Sequence, residues 1–146
     1  MKKLDPISDF LKTWDKDPGD VKKAFSKLQH KLTIMENSRI TFISRPGISH
    51  SLRASIRTGE HDNNRLFALV DIIDDNPTER WLSVCFYEDS ITDEEELGNL
   101  IPKGILGEDG HCFDVFEYDE TLLLYLEKKI KEAYQNVLKA QETDRL

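Results

Sequence analysis

Nowhere does this sequence approach 18 consecutive apolar residues, so it contains no candidate for a membrane-spanning helix. Its start, Met-Lys-Lys-Leu-Asp-Pro, has charge where a secretory signal would have an apolar run, and a cytoplasmic location is expected. Only two cysteines occur, Cys85 and Cys112, and neither belongs to a CxxC pair. A chain of 146 residues buries enough surface to fold without cross-links, so both are expected as reduced thiols. Internal repeats and low-complexity segments are missing. No strand-to-helix glycine motif of phosphate-loop spacing occurs either, which leaves no cofactor to expect.

Basic residues are also in short supply. The net charge is −8, against the electrostatic grip on phosphate that nucleic-acid binding needs. With 38% hydrophobic and 33% charged residues the composition is that of a folded protein, and the length suits a single domain over 1–146.

The charge is unevenly spread. Residues 88–120 hold twelve acids and one base, a net of −11, so the rest of the chain carries +3. Residues 38–59 hold Arg39, Arg45, Arg53 and Arg57 and no acid. Between 38 and 87 every Lys-or-Arg position is arginine, the side chain suited to fixed, planar pairing with carboxylate or phosphate.

Apolar spacing gives the elements. Asp5-Pro6 reads as a helix start, with Ile7, Phe10, Leu11 and Trp14 on one face over 6–15. Asp17-Pro18 repeats the signal. Val21, Phe25, Leu28, Leu32 and Met35 then define an amphipathic helix over 18–36. From residue 39 the period falls to two. Strands are predicted over 39–45, 49–57, 66–73 and 81–87, with a loop over 58–64 and a turn at Asp74-Asp75-Asn76-Pro77. Short connections favour a four-stranded antiparallel meander over 39–87. Residues 88–118 read as an acidic, irregular connection, with one short helix capped by Thr92 and Glu95 and ended by Gly98, and at most a short strand near 111–115. Asp119 caps a last helix over 119–142, whose buried stripe is Leu123, Leu126, Ile130, Ala133, Tyr134 and Val137. The expected fold class is α+β: a four-stranded antiparallel sheet, two N-terminal helices and one long C-terminal helix, the helices mainly on one face.

The candidate site follows from the first hairpin. A three-residue loop Arg45-Pro46-Gly47 sets Ile40 against Leu52 and Phe42 against His50. It also gathers Arg39, Arg45, Arg53 and Arg57 on the other face with Thr41, Ser51 and Ser55. Arg39 then lies opposite Arg53, and like charges so placed call for an anionic neighbour. Three readings follow. In the first, the chain is a non-catalytic binding module whose arginine face accepts a small anion or an acidic protein. In the second, it is an enzyme acting on a small anion at that face, with Asp71 or His50 as base. In the third, the arginines are neutralised within the chain by residues 88–120. A homodimer formed through the sheet or the last helix is a further candidate. Cys85 and Cys112 as nucleophiles, with His50 or His111 as base, lack any surrounding signature. Asp109, His111, Cys112 and Asp114 match no standard metal loop.

Overall fold

The computed structural model describes residues 5–57 and 65–144, so the loop predicted over 58–64 lies outside the described residues. Among those described, three helices accompany a six-stranded antiparallel sheet. The helices are α1 (Pro6–Thr13), α2 (Val21–Ile34) and α3 (Glu120–Asp144). The strands are β1 (Ser38–Arg45), β2 (Ser49–Ile56), β3 (Leu66–Ile73), β4 (Trp81–Tyr87), β5 (Asn99–Ile105) and β6 (Glu108–Val115), in spatial order β1-β2-β3-β4-β6-β5. No helix is long and apolar enough to cross a membrane among the described residues.

Helix starts carry the side-chain caps that their sequence promises. The Asp5 carboxylate accepts from the N–H groups of Ile7 and Ser8, and Asp119 accepts from Leu122 N–H. The start of α2 differs from expectation. Pro18-Gly19 turns before the helix, which begins at Val21; the Asp17 carboxylate reaches forward to the N–H groups of Val21 and Lys22, each at 2.9 Å.

The meander β1–β4 forms as expected, but two full strands complete the sheet where the sequence suggests at most a short strand near 111–115. β5 and β6 form a hairpin through Leu106-Gly107, both with positive φ, the pattern of a tight two-residue turn. β6 pairs with β4, and β5 becomes the far edge. Pro102 and a register shift between Ile101 and Ile105 are tolerated because β5 is an edge strand. No helix forms at 92–98. There the Asp93 carboxylate accepts from Leu97 N–H at 3.2 Å and Gly98 N–H at 2.8 Å, winding a loop that side-chain bonding favours over helix.

The register of the first hairpin also needs correction. Ile48 N–H bonds Arg45 C=O at 2.9 Å, with Pro46 and Gly47 between and Gly47 at φ +82°. Proline then glycine with positive φ is a type II turn, and the strand pairing resumes one residue later than expected. Arg45 therefore faces Ser49, Thr41 faces Arg53, and Arg39 faces Ser55. Arg39 and Arg53 are not opposite each other. The shift is two residues, so every side chain keeps its face.

One face of the sheet is core. Leu52, Ala54, Ile56, Val70, Ile72, Leu82, Val84, Phe86, Phe113 and Val115 pack against Phe25, Leu28 and Leu32 of α2 and Leu123, Leu126, Ile130, Ala133 and Val137 of α3. A bulge at Ala54/Ser55 turns Phe67 to this side, where it meets Tyr134 edge-on at 5.3 Å between ring centres. The opposite face is more open, with a small buried cluster of Leu66, Leu69, Cys85, Tyr87, Ile105 and Cys112 and with Ser51 and Ser55 also buried.

Candidate functional site

The open, or outer, face presents its side chains in rows, because partners across antiparallel strands point the same way. One row runs Ile43, Ser51, Asp71, Ser83, Asp114 from β1 to β6. The next runs Thr41, Arg53, Leu69, Cys85, Cys112, Asn99. Arg39 and Arg45 lie on β1 in the flanking rows, so the predicted site residues Arg39, Arg45, Arg53, Thr41, Ser51 and Ser55 do share a face. Arg57 lies just past β2 and is exposed, its N–H bonded to Asn37 C=O. Ser51 and Ser55 are buried, leaving Thr41 as the exposed hydroxyl of the set. Arg53 donates from Nε to Ser51 Oγ at 3.3 Å.

Asp71 is the acid beside these arginines. Burial pushes its pKa up, against a hydrogen bond from Ser51 and the charges of Arg53 and Arg45. Asp114, two strands away across Ser83, is also raised by burial. Between them lies a trough of about 360 Å3 lined by Asp71, Trp81, Ser83, Asn99, Ile101 and Asp114, with the Cys85–Cys112 pair in its wall. The face is therefore divided, with arginine on β1 and β2 and carboxylate on β3 and β6.

Cys85 and Cys112 are joined in a disulfide, not reduced thiols. The reason is register: they are direct partners on β4 and β6, a neighbour relation that depends on β6 pairing with β4. Neither is thus a nucleophile. Cys112 also leaves the drawn metal set, and the others part. Asp109 accepts from Lys103 N–H, and His111 faces Glu88 and Asp93 while Asp114 lies on the outer face. Among the described residues, no group of three His, Cys, Asp or Glu could hold a metal ion.

Five acids of 88–120 pair with cations off the arginine face. Arg65 pairs with Asp89 at 2.8 Å and Glu108 at 3.4 Å, and Lys129 pairs with Glu94 at 2.7 Å. His111 bridges Glu88 and Asp93, each at 2.8 Å. Burial opposes the charged imidazole, yet these two carboxylates outweigh it and hold the pKa above its usual value. β5 and β6 lie at the sheet edge opposite β1.

His50 lies on the helix side of the sheet, buried against Phe10 at 4.0 Å between ring centres. Its Nδ1 is 2.9 Å from Ser44 Oγ and its Nε2 is 2.8 Å from Asp74 Oδ2. A Ser-His-Asp chain invites comparison with a nucleophilic triad, but the chemistry argues for a clasp. Asp74 also accepts from Arg80 Nε at 2.7 Å and from Gly47 N–H at 3.3 Å, tying the β1–β2 turn to the β3–β4 turn. A carboxylate so committed does little to stabilise a developing imidazolium. The nitrogen facing the serine is Nδ1, the reverse of the triad arrangement. No sequence signal pointed to this clasp or to the Asp93 junction, since both join residues distant in the chain.

Comparison with known proteins returns no matching family, no matching curated protein and no matching solved structure, so the function rests on the chemistry of the outer face.

Proposed function

We propose that this chain is a non-catalytic binding module that accepts an anionic group on the arginine half of its outer sheet face. One observation carries the reading: Arg45 and Arg53 share the outer face of two neighbouring strands, while Glu88, Asp89, Asp93, Glu94 and Glu108 of the acidic segment are matched to Arg65, His111 and Lys129. This arrangement weighs against the arginines being neutralised by that segment. A guanidinium binds carboxylate or phosphate in a two-point fork, so either class fits, as a small ligand or on an acidic protein. The disulfide weighs against a cytoplasmic location, because such bonds persist in oxidising compartments.

A second reading has one specific support. The trough beside Arg53 holds Asp71, whose pKa is raised, and a perturbed carboxyl group in a concavity is a candidate general base. On that reading the chain is an enzyme acting on a small anionic substrate, with Arg53 orienting it.

A thermal-shift panel of small carboxylates, phosphates and nucleotides tests the first reading. A ligand at about a hundred times its Kd stabilises by about 2.7 kcal/mol, readily seen in Tm. The expected result is a hit that disappears in Arg53→Glu. Survival of the shift in that variant would show that the anion binds elsewhere.

A further inference from the structure

We infer that the outer sheet face docks a second copy of this chain, the arginine half of each copy lying over the acidic half of the other. This inference rests on the anion-accepting role proposed for the arginine half and names what occupies it. The face carries its own complement: Arg45 and Arg53 on β1 and β2, and Asp114 on β6, with Asp71 on β3 beside the arginines of its own copy. A twofold axis along the strands, through the sheet centre between β3 and β4, brings β2 of one copy over β6 of the other and β1 over β5. Arg53 then lies about 7 Å along the strand from Asp114 of the second copy, within reach of an arginine stem.

Apolar residues on the same face lack cover. Ile43, Ile101 and Phe116 are 40%, 42% and 64% exposed, and Trp81 packs on Phe116 at 5.1 Å between ring centres. Six strands at about 4.8 Å spacing and eight residues at about 3.3 Å give roughly 760 Å2 per copy. That is close to the roughly 800 Å2 per partner of a standard interface, and the charged and polar side chains on this face make the dimer reversible. The alternative self-contact, β1 against β1 at the open edge, is disfavoured. Centred on Phe42, such a pairing sets Arg39 opposite Arg45, and like charges across strands repel.

Sedimentation velocity on the full chain, from about 1 to 200 μM at low and high salt, tests this. The expected result is a monomer–dimer equilibrium weakened at least about tenfold by high salt. Two charge-reversed variants, Arg45→Glu with Arg53→Glu and, separately, Asp114→Arg, should each sediment as monomers. Their equimolar mixture should dimerise, because both cross-copy contacts become attractive again. Wild type that stays monomeric throughout, or reversed variants that dimerise like wild type, would overturn the inference. Circular dichroism checks folding; should the double variant misfold, Arg45→Glu alone, at an exposed site, should weaken the dimer at least about tenfold. Tripolyphosphate separates the two ideas. A monomeric wild type that it stabilises, with the effect lost in Arg53→Glu, keeps the anion site and removes the second copy. A dimer indifferent to tripolyphosphate keeps the second copy and removes a small-anion ligand.

Discussion

The Nε2 of His111 lies 2.8 Å from Asp93 Oδ2, joining β6 to the loop that follows β4. The same carboxylate accepts from the Tyr125 hydroxyl at 2.5 Å, so one acid ties strand, loop and α3 together. The pKa of Asp93 is driven down. Burial opposes this, but Tyr125, Gly98, His111 and Leu97 outweigh it. A depressed carboxyl contributes stability present above its unfolded value, near 3.9, and lost as pH falls. His111 is raised, so its contribution is complete below its unfolded value, near 6.5, and lost as pH climbs through the folded pKa. Tm should therefore peak between about pH 4 and 6.5. Calorimetry across pH 2–9 on wild type, Asp93→Asn and His111→Gln checks it. The first variant should flatten the acid limb, and the second the alkaline one.

Asp71 should behave in the opposite sense. Its carboxyl is raised mainly by burial, so ionisation costs stability at neutral pH. Asp71→Asn should raise Tm at pH 7 and leave it unchanged near pH 3, where both side chains are neutral. A carboxyl group buried at such a cost fits a functional role. A lower Tm for the variant at pH 7 would instead make Asp71 a structural counterion of Arg53.

The Cys85–Cys112 bond closes a separation of 27 residues, for which loop entropy predicts about 3.5 kcal/mol of stabilisation. Thiol titration should find no free cysteine in the native protein and two after reduction in denaturant. Reduction should lower Tm by several degrees. Two titratable thiols in the native, unreduced protein would refute the bond.

How much of this was legible depended on whether a signal was local. The α1 cap at Asp5, the α3 stripe and the strands β1–β4 are written in spacing and alternation, and the structure keeps them. The first hairpin kept its faces, although its turn was placed one residue early, because a two-residue shift preserves parity. β5 and the start of β6 escaped because Gly104, Gly107 and Gly110 punctuate the segment, and an exposed edge strand needs no alternation. Gly98 looked like a helix end. Its true reason is tertiary: a Cβ there would lie 2.8 Å from the Phe113 ring. The arginine face was visible in composition. Its acidic half was not, since Asp71 and Asp114 become neighbours across Ser83 only once β6 joins β4.

The Ser44–His50–Asp74 chain gives the last prediction, separating a clasp from a nucleophile. Asp74 and His50 are buried, and Arg80 is held against Asp74 at 2.7 Å. Removing one partner of a buried ion pair strands the other, so Asp74→Ala should cost about 3–5 kcal/mol by denaturant unfolding. The burial that keeps Asp74 from water also disfavours its charge, but Arg80, His50 and the Gly47 N–H more than compensate and depress its pKa. Ser44 is exposed and contributes one hydrogen bond, so Ser44→Ala should cost about 1 kcal/mol or less. A fluorophosphonate probe should leave Ser44 unlabelled, because Asp74 is committed to Arg80 and the imidazole presents the wrong nitrogen. Stoichiometric labelling abolished by Ser44→Ala would make the clasp a catalytic centre.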